Sequence, residues 1–173
     1  MSKMARFMNA LGMLRICVIT LFLASGLIRE AQGQFQVYAG NGYSLTHQVL
    51  HSANGRIFPG FSLNFNEALV TVRGNKIMAG PSGSEFDLIF TYKDGKLYRG
   101  NAMYTSQIAY TLAPNGKIYE GDSTFELDVV YNVQNGVIFN GAHSHPSDAM
   151  YFIQGPHNPV ELFGVLVALD LIR

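Results

Sequence analysis

Two histidines one residue apart, His143-Ser144-His145, followed by Pro146 and Asp148, are the residues of this 173-residue chain best suited to chemistry. Two imidazoles and a carboxylate form a donor set for zinc or copper, and a metal held that way can activate water for hydrolysis. His157 lies near enough in sequence to join them. The bland alternative is a pair of exposed loop histidines. A second kind of chemistry is offered by Glu67, Asp87, Asp128 and Asp148, carboxylates that can bind cations or sugar hydroxyls. They recur at near-constant spacing, so no unequal acid–base pair stands out. The chain has no Gly-x-Ser-x-Gly and no glycine-rich phosphate loop ahead of a helix. We assign no catalytic residue and no cofactor, and keep His143, His145 and Asp148 only as candidate metal ligands.

The His-x-His-Pro string resembles the one that holds zinc in isopeptidases of the JAMM type. That resemblance implies a Ser-x-x-Asp further on and an upstream glutamate base, on a fold that alternates helices and strands. Here His145-Pro146 is followed by SDAMYFIQGPHNPVELF, which lacks the Ser-x-x-Asp at the required distance. His143 also falls in register with Ser82 and Ser123, and Asp148 with Asp87 and Asp128. The string is one copy of a repeat.

Copies of that repeat open at Gln36, Arg56, Lys76, Lys96, Lys117 and Val137, about twenty residues apart, and Ala113-Pro114 adds one residue to one of them. Each begins with an apolar residue and then, in most copies, an aromatic one: Val37-Tyr38, Ile57-Phe58, Ile77-Met78, Leu97-Tyr98, Ile118-Tyr119 and Ile138-Phe139. A glycine follows two positions later, from Gly40 to Gly141, where a strand end needs a conformation closed to other residues. A second strand alternates, placing Phe86, Leu88, Phe90 and Tyr92 on one face, and Phe125, Leu127, Val129, Tyr131 and Val133 likewise. Asp94-Gly95, Asn115-Gly116 or Asn135-Gly136 closes the unit as a hairpin turn. Six such units give about twelve strands, none able to bury its apolar face without its neighbours. Within them the recurring carboxylate is expected to cap a turn or pair with the serine of its own copy (Ser62, Ser82, Ser123), and the aromatic row to serve packing.

The ends differ. Lys3, Arg6 and Arg15, then the apolar run Ile16–Gly26 and the small residues Ala31 and Gly33, read as a signal peptide over residues 1–33, cleaved to leave Gln34 first. The apolar run is too short to span a bilayer, which takes about 20 residues. The remainder carries eight Lys and Arg against eleven Asp and Glu, a net charge of 8 − 11 = −3, with no basic stripe for nucleic acid. The only cysteine, Cys17, is in the leader, and no N-glycosylation sequon occurs. The expected product is one disulfide-free domain, secreted or periplasmic, with the repeats over residues 34–157 and a terminal helix over 158–173.

That tail, VELFGVLVALDLIR after Asn158-Pro159, is apolar nearly all round, so it must be buried nearly all round. It has a capping residue and a proline where a helix begins. Twelve strands about 4.8 Å apart and tilted by roughly 40° close at a radius near 12 Å, enough for a helix and its side chains. The expected fold is therefore mainly β, a curved or closed barrel around a buried C-terminal helix. A two-sheet sandwich with the helix packed across one end is the alternative. The arrangement resembles the tubby and scramblase type of barrel in architecture. KDGKLYRGNAMYTSQIAYTL and PNGKIYEGDSTFELDVVYNV resemble bacterial secreted proteins built from repeats of the form DGKIYxGxSxxxxDILYTI with an apolar C-terminal segment. That likeness implies an exported repeat protein and supplies no activity.

The sequence thus favours an exported, non-enzymatic binding or structural module. A hydrolase or metal-binding protein with its site around His143–Asp148 is the alternative. A carrier of small apolar ligands is a third reading, opposed by a helix expected to fill the lumen.

Overall fold

The computed structural model describes residues 34–173; the leader expected over residues 1–33 lies outside them. Twelve antiparallel strands run in chain order: β1 (Gln36–Ala39), β2 (Gln48–Ala53), β3 (Arg56–Pro59), β4 (Val70–Arg73), β5 (Lys76–Ala79), β6 (Leu88–Lys93), β7 (Lys96–Arg99), β8 (Ile108–Leu112), β9 (Lys117–Glu120), β10 (Val129–Gln134), β11 (Val137–Asn140) and β12 (Ala149–Gln154). Each pairs with its neighbour in sequence, and β1 pairs with β12, with Val37 opposite Ile153, so the sheet closes into a barrel. Closure leaves no open sheet edge and rules out the sandwich. One helix, α1 (Pro159–Ala168), follows.

Two kinds of connection alternate around the barrel. At one end, tight turns join β2–β3, β6–β7 and β10–β11, with Asn54-Gly55, Asp94-Gly95 and Asn135-Gly136 all at positive φ, as two-residue hairpins of this hand require. At the other end, outer loops of eight residues, ten in the second copy, join the strands within each repeat. Each loop opens on a left-handed glycine and closes in a short 3₁₀ turn, as at Glu85–Asp87 and Glu126–Asp128.

The strands bury both faces. Val37, Ile57, Ile77, Leu97, Ile118 and Ile138 form a sealed inner ring in the lumen core. Their neighbours Tyr38, Phe58, Met78, Tyr119 and Phe139 are also buried but lie outside that core, on the outer wall beneath the loops. Tyr38, for example, meets Tyr43 of the first loop edge-on at 5.0 Å. The same wall holds a second series that the sequence reading passed over. Thr71, Thr91 and Thr111 each donate a hydroxyl, at 2.7 Å, to the carbonyl of the next repeat's loop glycine, Gly80, Gly100 and Gly121. His51 occupies the equivalent place with Nδ1 at 2.8 Å from the Gly60 carbonyl, and Asn132 donates to the Ala142 carbonyl at 3.2 Å.

One expectation about the second strand is corrected. Phe86, Phe125 and Leu127 are not on a strand face; they lie in or beside 3₁₀ turns, exposed. A bulge then intervenes, so that Leu88 lies opposite Met78 while Phe90 lies opposite Ile77. Val129 and Tyr131 repeat the shift opposite Tyr119 and Ile118. One extra residue moves what precedes it to the other wall.

Helix α1 begins as its sequence suggests. Asn158 caps it through the Glu161 backbone N–H at 2.9 Å, and the Glu161 carboxylate accepts from the Asn158 N–H at 2.9 Å, a complete capping box. It ends sooner than the fourteen-residue tail allows. Asp170 takes φ of 57°, Asp170 N–H donates to Val167 O, and Leu171 N–H donates to Leu166 O, the Schellman pattern that stops a helix. All seven residues from Val160 to Leu166 are buried, so the helix sits inside the barrel core.

It sits off-centre. A methyl at Gly164 would stand 2.8 Å from Val72 Cγ2 and 3.0 Å from Ile57 Cδ1, so the helix backbone lies almost directly on β3 and β4. Val72 is β-branched and stiff and cannot retreat cheaply. We expect Gly164→Val to lower stability by about 1–3 kcal/mol through overpacking, measured as a lower urea midpoint at unchanged m-value.

Candidate functional site: the outer loops

The outer loops carry most of the sequence features that suggested binding. They span residues 40–47, 60–69, 80–87, 100–107, 121–128 and 141–148. In three of them the serine two positions after the glycine organises the turn. Ser82 Oγ accepts the Ser84 N–H at 3.1 Å and donates to the Asp87 carboxylate. Ser123 does the same with Phe125 N–H and Asp128, and Ser62 with Asn64 N–H and Glu67. Hydrogen bonds from Ser62 and Asn64 hold the Glu67 carboxyl below the usual glutamate range. The recurrent carboxylates are thus turned inward on their own loops, the structural role the repeat register suggested.

A second set of contacts holds loops against the wall. Lys76 pairs with Glu85 at 2.6 Å and lowers its carboxyl pKa, first by hydrogen bonding and then by charge. Lys117 pairs with Glu126, and Arg56 lies over the Phe65 ring at 4.5 Å. Each cation is the first residue of its strand and sits nine positions before its partner, so the hairpin unit supplies its own clasp. Lys96 reaches instead to Asp122 of the following loop, which raises the lysine pKa. Such exposed ion pairs are individually weak, and they locate the loops more than they stabilise the barrel.

The sixth loop is the variant one. Its 3₁₀ turn is Pro146–Asp148, and His145 caps it, accepting the Ser147 N–H at Nδ1 at 3.3 Å. The Ser147 hydroxyl lies 2.8 Å from that nitrogen and 3.1 Å from Asp148 Oδ1. Two of the three candidate ligands therefore gather around Ser147, which spends them on the turn. His143 is exposed, and His157 lies elsewhere, at 3.1 Å from the Gly155 carbonyl and edge-on to Phe35. Among the described residues no three His, Cys, Asp or Glu side chains converge as metal ligands. The cap geometry engages His145 in the turn and leaves His143 outside it.

What the loops do present is apolar surface. Phe86 is 101% exposed, Leu127 98%, Leu63 80%, Phe125 75% and Tyr104 72%. Tyr43, Leu45, Phe61, Phe65 and Met103 are exposed as well. Counted from the loop glycine they fall three and five positions on in the first loop, one, three and five in the second, six in the third, three and four in the fourth, and four and six in the fifth, so several offsets recur between copies. Reading Phe86 and Leu127 as strand residues concealed this exposed series.

Six copied hairpin units closed as twelve strands around a terminal helix define a six-fold β-repeat barrel. The chain belongs to the 6-fold beta flower protein family, whose family model it matches over residues 37–166. No curated protein and no solved structure matches it.

The lowered carboxyls carry a pH consequence. A folded-state pKa below the unfolded one stabilises the fold above the ordinary carboxylate range and ceases to as pH falls through the folded value. Glu67 and Glu85 are both of this kind. We expect thermal stability to decline on acidification below about pH 4, and Ser62→Ala to weaken that dependence, read by calorimetry between neutral and acid pH.

Proposed function

We propose that this is an exported, non-enzymatic binding module that engages its partner through the outer loops. The observation that carries the reading is the apolar surface exposed on five of the six loops. Exposed apolar clusters on loops held by a rigid scaffold mark interaction sites. The leader-like composition of residues 1–33 supports export.

Replacing Phe61, Leu63, Phe86, Phe125 and Leu127 together by serine separates binding from folding. All five are exposed, so the thermal transition should stay within a few degrees of the parent. Whatever co-purifies reproducibly with the parent protein from its native medium, identified by mass spectrometry, should be lost from the variant. The same companions on both proteins would sink the proposal. Intact-mass measurement of the exported protein should give a chain beginning at Gln34; a mass retaining residues 1–33 would remove the export part of the reading.

A further inference from the structure

The off-centre helix leaves the barrel interior unevenly filled. On the wall it leans against, Leu50, Ile57, Val70, Val72, Ile77 and Phe90 are all sealed. On β6 to β12, Tyr92, Tyr110, Leu112, Tyr131, Val133 and Tyr151 are only half-buried, although Leu97, Ala109, Ile118, Ile138 and Ile153 of the same strands are sealed. The Phe163 ring stands 5.8 Å from Tyr92, and beyond the helix end the Tyr131 hydroxyl donates to the Leu171 carbonyl at 2.9 Å. At the hairpin end, beside Tyr92 and the first turn of the helix, lies a solvent-open cleft of about 590 Å³.

Its lining is chemically simple. Leu112, Val133, Leu162 and Pro159 form its apolar walls, with Tyr92 beside them. Burial raises the Tyr92 phenol pKa, while the Gly95 backbone hydrogen-bonds to it. The only charged residue is Asp94, exposed in the hairpin turn at the rim. The rim is also where the repeat breaks step. The residue added at Ala113-Pro114 lengthens the β8–β9 turn, and both residues line the cleft. Gly116, which ends that turn, lies so close to the next strand that a Cβ would come within 2.1 Å of the Val133 carbonyl oxygen. The one residue inserted among the six repeats and the off-centre placement of the helix therefore meet at one place.

We propose that this crescent, between α1 and the β6–β10 wall, is a binding site for a small uncharged apolar molecule. The lining is apolar with one hydroxyl, as small-ligand sites are. An apolar ligand would cover the half-buried Leu112 and Val133, and each buried CH₂ is worth about 0.8 kcal/mol. Asp94 at the entrance disfavours an anionic ligand. The site is separate from the outer loops and does not rest on their role.

Titration of the purified full chain with N-phenyl-1-naphthylamine, an uncharged dye that brightens in apolar surroundings, tests this directly. We expect saturable fluorescence, displaced by decanol and displaced about tenfold less well by decanoate. Methyl NMR on the unmodified protein should place the dye's shifts on Leu112, Val133 and Leu162. Ala113→Phe, which puts a ring at the rim without entering the sealed ring, should weaken the dye by about tenfold or more. The five-serine loop variant should bind it unchanged. A folded chain with no saturable signal overturns the proposal, as do methyl shifts that fall on Leu63 and Leu127 of the loops instead.

Discussion

A ring of twelve short strands encloses more space than its inward side chains can fill, and the burial of α1 in that space is the interaction on which the rest depends. The inner ring from Val37 to Ile138 supplies one branched aliphatic residue per repeat. A helix with side chains is about 10–12 Å across, close to what a barrel of roughly 12 Å radius has left once that ring is in place. Without the helix the inner faces would confront water, and pairing β1 to β12 would enclose a wet apolar hole. This explains why a nearly uniformly apolar segment follows six otherwise amphipathic units. Gly164 lets it lie directly against Ile57 and Val72.

The outer loops solve the matching problem on the other side. The first strand of most repeats is covered on its outer wall too, where Tyr38, Phe58, Met78, Tyr119 and Phe139 are buried. Serine–carboxylate pairs shape three loops, and Lys76 and Lys117 clasp two, while threonine hydroxyls tie the wall to the glycine carbonyls of three. The protein is thus layered: helix, strands, then loops. Only the outermost layer is free of the packing demands that fix the other two, and it is there that large apolar side chains stand exposed.

Much of this was legible in the sequence. The hairpin turns announce themselves through Asn-Gly and Asp-Gly, and the helix start through Asn158-Pro159. The pairing of Ser82 with Asp87 followed from their copied spacing. The bulges did not show. With both walls of a strand apolar, moving Leu88 from one wall to the other leaves the hydrophobic pattern unchanged, so alternation ran straight through Ile89 and swept Phe86 into the strand. The helix stop was hidden too, because Asp170 rather than glycine takes the left-handed position. The His143–Asp148 string looked like a site because spacing alone cannot distinguish a metal ligand from a turn cap such as His145.

By itself, then, the sequence determined the unit: a two-strand hairpin with its own turn, clasp and internal hydrogen bonds, copied six times and followed by a helix. These are contacts between residues a few positions apart, and local pattern encodes them. Tertiary structure alone decided that the ring closes, since Val37 must find Ile153 from the far end of the described chain. It also decided which wall the helix leans on, because the helix is apolar on every side and only the fit of Gly164 to β3 and β4 breaks the tie. The gap opposite is the complement of that choice, and no stretch of sequence contains it.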